Sequence, residues 1–210
     1  GCLLSLCCIA GNAQKYTLVS PEKKLSVEIE SNRQGMQLKM IKDTDLILTL
    51  SDISIATDHQ GAASLQVKKT KRSAVAEDVK PVIKEKSETY KNEYNELVLT
   101  FKSNQSLTFR LFNEGLAYRF STNAKDSLTI LKEVLNIQFQ DGDSMRFQSQ
   151  KSFNSAYEQP YEFKKLSELD PAKRCNLPVL IEKKNGSFVM ITETDLYQFP
   201  GLWVQSTGAA

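Results

Sequence analysis

The sequence predicts an all-β protein built as a large antiparallel β-sandwich. Apolar residues recur at every second position along the chain, the period of a strand buried on one face. Turn chemistry separates these runs, at Asn113-Glu114-Gly115, Asp141-Gly142-Asp143 and Asn185-Gly186. No segment sustains a helical apolar period long enough for a major helix. Many short strands with turns between them are expected to form two sheets packed face to face, with more strands than an immunoglobulin domain has.

Residues 1–13 differ in kind from the rest. Cys2-Leu3-Leu4-Ser5-Leu6-Cys7-Cys8-Ile9-Ala10 is an uncharged apolar run, followed by Gly11-Asn12-Ala13 with small residues where a signal peptidase reads them. The run falls short of the ~20 apolar residues of a membrane-spanning helix. It reads as the remnant of a secretory signal, with neither a basic segment nor a Met before it, and the mature chain is expected to start near Gln14. Leu6 before Cys7 favours ordinary cleavage over a lipoprotein signal. Export leaves Cys175 as the single mature cysteine, expected to be a free, partly buried thiol. Residues 14–210 are expected to form one β-sandwich domain of a secreted, periplasmic protein.

Each run along this domain has its own signature. Leu25, Val27 and Ile29 alternate with Ser26, Glu28 and Glu30; Leu97, Leu99 and Phe101 share a face, as do Leu107, Phe109 and Leu111, and Leu116, Tyr118 and Phe120. The basic stretch Lys68-Lys69-Thr70-Lys71-Arg72 gives way to acidic residues from Glu77 and reads as a solvated edge or loop. Residues Gln148–Asn176 lack alternation but carry Phe153, Tyr157, Tyr161 and Phe163, the composition of an ordered loop that packs on something. Within it, Lys164–Asp170 is expected to form a turn or two of helix closed by Pro171. Asn185-Gly186 joins Pro178–Lys184 to Ser187–Thr194 as a hairpin, since both residues tolerate positive φ. In its second strand Phe188 and Met190 point one way and Val189 and Ile191 the other, so apolar burial is expected on both faces. Glu193 falls on the Val189 side, where a carboxylate either has reached solvent or meets a cation.

Composition excludes several functions. Lys plus Arg number 27 against 25 for Asp plus Glu, a net charge of +2, with no basic stripe for nucleic acid. His59 is the single histidine, so neither a His-based triad nor a two-His metal site can be assembled; its Asp58-His59-Gln60-Gly61 setting reads as a solvated loop. The carboxylate pairs Asp43/Asp45, Asp141/Asp143 and Glu158/Glu162 lie where turns or surface ion pairs explain them, with Lys164 a partner for Glu158. No self-sufficient active site emerges.

The run Ile191-Thr-Glu-Thr-Asp-Leu-Tyr-Gln-Phe-Pro-Gly201 resembles a signature of the N-terminal domain of glycoside hydrolase family 97, the α-glucosidases and α-galactosidases of Bacteroidota. Ser20-Pro21 with Leu25–Ile29, Tyr94–Leu97, Gly115–Phe120 and Ser152–Glu158 fit the same template in the same order. The resemblance implies a β-super-sandwich similar to galactose mutarotase. It also implies a (β/α)₈ catalytic barrel C-terminal to this domain, acting on oligo- or polysaccharide, and a calcium ion at the active site with one ligand from the N-terminal domain. The matching ligand is Glu193. Asn154, Tyr157 and Glu158 would be neighbours of the barrel, substrate or metal, although packing accounts equally for Tyr157. Residues 203–210 lie where a family member continues toward its barrel, so this chain alone is expected to be inactive. The competing reading is a stand-alone carbohydrate-binding or scaffold sandwich, with Trp203, Tyr157 and Tyr161 as its stacking aromatics.

Overall fold

A computed structural model describes residues 13–32, 35–58, 65–84, 86–122, 127–197 and 201–208. Residues 1–12, where a signal remnant is expected and which include Cys2, Cys7 and Cys8, lie outside the described residues, as do His59 and Gln198–Pro200. The chain is all-β, as predicted, and divides into two compact units, Gly1–Gln138 and Phe139–Ala210.

The first unit contains β1 (Gln14–Val19), β2 (Leu25–Ser31), β3 (Met36–Lys42), β4 (Asp45–Thr57), β5 (Val67–Val79), β6 (Tyr90–Phe101), β7 (Gln105–Phe112), β8 (Leu116–Thr122) and β9 (Ile130–Gln138). These form a five-stranded sheet in the order β1-β2-β3-β4-β9 and a four-stranded sheet in the order β5-β6-β7-β8, with every pairing antiparallel. The predicted alternation sets which face is buried. Val27, Ile29 and Leu38 of one sheet and Leu97, Leu99, Phe101, Leu107, Phe109 and Leu111 of the other lose all or nearly all solvent contact. Polar groups tie the sheets at their margins: Asn95 Nδ2 donates to the Val19 carbonyl at 2.7 Å, and the Glu22 amide donates to Asn113 Oδ1 at 2.8 Å. The turns fall where the sequence places them, Asp43 taking φ 53° between β3 and β4 and Gly115 closing on the Phe112 amide between β7 and β8. The basic stretch lies in β5, an exposed strand at the border of its sheet.

The second unit contains β10 (Ser144–Phe147), β11 (Ser149–Gln150), β12 (Glu162–Lys165), a single 3₁₀ turn at Leu166–Glu168, β13 (Arg174–Asn176), β14 (Val179–Glu182), β15 (Phe188–Ile191) and β16 (Trp203–Gln205). A four-stranded sheet, β12-β10-β14-β15, and a three-stranded sheet, β11-β13-β16, close on one core of Met145, Phe147, Cys175, Val179 and Ile181. Leu166 of the 3₁₀ turn, Leu177, Val189, Ile191 and Val204 pack against it. The helical turn predicted in Lys164–Asp170 is present, while the predicted loop Gln148–Asn176 also holds three short strands.

Two expectations are corrected here. The hairpin at Asn185-Gly186 forms, with Gly186 at φ 80°, but β15 stops at Ile191 and buries one face only. Val189 and Ile191 reach the core, whereas Phe188 and Met190 are exposed. Lys164 pairs with Glu162 at 2.7 Å rather than with Glu158.

Candidate functional site

Glu193 lies two residues beyond β15 and is half-buried. Its Oε2 accepts the backbone N–H of Leu202 at 2.7 Å, just before β16. Its Oε1 lies so close to Gly201 that a Cβ at that glycine would sit 3.3 Å away. The carboxylate therefore clasps the two ends of the segment 194–201, whose exposed Leu196 and Tyr197 project outward. A small residue at 201 lets the backbone come close enough for the N–H bond. No group of three or more His, Cys, Asp or Glu is gathered anywhere among the described residues, Glu193 included.

Trp203 follows Leu202 directly and carries the second part of the site. In the three-stranded sheet Cys175 faces the core, so its neighbours Arg174 and Asn176, and Trp203 paired with Asn176, fall on the opposite face. Phe153 meets Trp203 edge to face at 4.9 Å, and Tyr157 meets it at 5.7 Å. The Arg174 guanidinium lies 4.9 Å from the Phe153 ring centre. Tyr157 Oη donates to the Phe153 carbonyl at 3.0 Å, and Ser155 Oγ donates to Gln150 Oε1 at 2.6 Å, which fixes the loop on buried Gln150.

Of the residues singled out from sequence, Tyr157 and Trp203 thus come together, and Trp203 links them to the Glu193 clasp. Asn154 and Glu158 lie exposed on the same loop with no side-chain hydrogen bond or ion pair among the described residues, and Tyr161 is exposed. Trp203 itself is half-buried. Two members of the pairs considered as dyads are engaged elsewhere. Glu162 is held below the usual carboxylate range, chiefly by its hydrogen bond from Lys164. Asp143 is 1% exposed and accepts from Lys183, itself 4% exposed, at 2.8 Å, while its other oxygen accepts the Lys184 amide at 3.0 Å. Cys175 is a buried free thiol whose pKa burial pushes up to about 11. Sequence reasoning missed Arg174 and the Leu202 clasp. Arg174 sits in a strand of three residues, too short to show a face, and the clasp spans nine positions.

This chain belongs to the Glycosyl-hydrolase 97 N-terminal family, which matches residues 18–210. It is 31% identical to a retaining alpha-galactosidase of Bacteroides thetaiotaomicron over 99% of its own length and 33% of that protein's. Its fold is similar to a beta-arabinopyranosidase crystal structure (TM-score 0.77, 15% identity, 87% of this chain and 32% of that one). It is equally similar to a family 97 enzyme from Pseudoalteromonas sp. strain K8 in complex with acarbose (TM-score 0.77, 14% identity, 90% and 30%). The chain thus spans about a third of the length of these relatives.

Proposed function

We propose that this chain is the N-terminal domain of a secreted, periplasmic α-glycoside hydrolase, an α-galactosidase or α-glucosidase. In this reading the domain forms one wall of the substrate pocket of a (β/α)₈ barrel and gives Glu193 to a calcium ion shared with it. The family membership and the α-galactosidase relative support the reaction class. The observation that carries the domain's role is the clasp. Leu202 N–H fixes one oxygen of Glu193, and no cationic side chain claims the other among the described residues.

The donor set fits a shared ion. Calcium takes roughly six to eight oxygen ligands, and one carboxylate is a fraction of that shell. Among the described residues no two further His, Cys, Asp or Glu side chains gather with Glu193, which in this reading leaves most of the shell to the barrel. Bound there, calcium would offer positive charge to a glycosidic oxygen as the bond breaks. The domain's own residues do the positioning: the Leu202 amide holds the carboxylate in one orientation, and β14 and β15 hold the strand that leads to it.

The test uses the full-length enzyme and an aryl α-galactoside or α-glucoside. Glu193→Gln should lower activity by at least about tenfold and weaken calcium retention, as loss of a ligand or its support does in metal sites. The domain's circular dichroism should not change. Full activity after exhaustive chelation and dialysis would remove the calcium role; absence of any α-glycosidase activity would remove the reaction class.

A further inference from the structure

The aromatic cluster around Trp203 has chemistry that the calcium role leaves unused. Phe153 is 55% exposed and Tyr157 45%, although both touch Trp203. Aromatic rings that merely filled a core would be covered. These are instead held out by a loop locked through its own polar groups. Ser155 Oγ reaches Gln150, the Tyr157 amide donates back to Ser155 Oγ at 3.1 Å, and Ser152 Oγ donates to the Asn154 carbonyl at 2.8 Å. Tyr157 takes φ 54°, a left-handed backbone that a bulky residue adopts only when its surroundings impose it. The sequence thus spends local strain to hold an exposed ring in place.

Among the described residues the polar groups around these rings lack protein partners. Among the described residues Arg174 forms no ion pair and has the Phe153 face as its contact. The Trp203 indole N–H, the Asn154 amide and the Glu158 carboxylate likewise have no hydrogen-bond partner there. A hexopyranose matches this combination. Its axial C–H groups lie on an aromatic face, and its hydroxyls both accept from guanidinium, indole and amide and donate to a carboxylate. A purely apolar partner would leave all four polar groups unmet.

We infer that Phe153, Tyr157, Trp203 and Arg174 form a sugar-stacking subsite for a neutral hexopyranose unit of an oligosaccharide, flanked by Asn154 and Glu158. This deepens the α-glycosidase reading and rests on it for the choice of sugar, but the subsite itself needs no calcium and no catalysis.

Trp203 is the only tryptophan, so its fluorescence reports on the cluster directly. Melibiose and maltotriose titrated into the 210-residue chain should give a saturable change in emission, with a Kd on the order of millimolar. Phe153→Ala should abolish the response, and Arg174→Ala should weaken binding about tenfold or more. Both positions are exposed, so unchanged circular dichroism and thermal melting show that the variants remain folded. A silent Trp203 with either sugar would overturn the subsite, as would a response that both variants preserve. So would emission that changes only on adding the separately produced remainder of the enzyme, since the face would then be a protein contact. Hydrolysis by the full-length enzyme is read independently. Activity with a silent Trp203 sinks the subsite alone, and sugar binding without activity sinks the reaction class alone.

Discussion

Asp143 and Lys183 show what a buried charge does in the second unit. Both are almost wholly removed from water, and a carboxylate or an ammonium there is tolerated only with its partner in place. Asp143 also accepts the amides of Gln140 and Lys184, so one side chain holds the Asp141-Gly142-Asp143 turn and the start of the β14–β15 loop together. Asp143→Ala should cost about 3–5 kcal/mol in urea unfolding, because it leaves the Lys183 ammonium buried without its carboxylate. Adding Lys183→Met should recover most of that loss. Cys175 makes a second case. With its pKa pushed up to about 11 by burial, it carries little thiolate at neutral pH. Iodoacetamide should leave the Cys175 peptide unmodified in the native protein and label it in denaturant, as read by mass spectrometry. From sequence, Asp143 was indistinguishable from any aspartate in an Asp-Gly-Asp turn, because its partner lies 40 positions away.

At the scale of elements, the β14–β15 hairpin depends on its turn. Gly186 sits at φ 80°, with its amide donating to the Lys183 carbonyl at 2.8 Å, and nothing crowds the place where a Cβ would go. Gly186→Ala should therefore destabilise through backbone strain alone, by about 1 kcal/mol, measured as a shift in the denaturant midpoint. This turn was legible in the sequence, as were the strands of the first unit, since runs such as Leu97–Phe101 and Leu107–Leu111 are long enough to show their period. The strands β11, β12 and β13 have two, four and three residues, too few for alternation to stand out from a loop. The error over β15 has another origin. Phe188 and Met190 are apolar in sequence, but whether a second layer covers them is a tertiary fact, and in this unit the core lies on the other side. The period-two placement of Glu193 assumed a strand that in fact ends at Ile191, and its partner, an amide beyond a turn with Asp195 at φ 61°, carries no local signal.

For the molecule as a whole, acid is the informative stress. Glu162 is held below its ordinary value of 4.5 by Lys164. For Glu96, burial pushes upward, but hydrogen bonds from Arg110 and Ser73 outweigh it and the net shift is also down. A carboxylate with a lowered folded pKa binds fewer protons when folded than when unfolded. Its contribution to stability is therefore full above the unfolded value and is lost as pH falls through the folded one. Melting temperature should hold down to about pH 5 and then drop steadily toward about pH 3. Glu96→Gln, which cannot titrate, should flatten part of that decline, followed by scanning calorimetry. One more consequence belongs to β5. A thirteen-residue border strand offers a row of unmatched amides and carbonyls on which a stray chain can dock and seed fibrils. Lys68, Lys69, Lys71 and Arg72 crowd that rim with like charge, so two copies approaching rim to rim repel before their backbones can zip. Like charge along that fringe therefore opposes the edge-to-edge stacking that a long bare strand would otherwise invite.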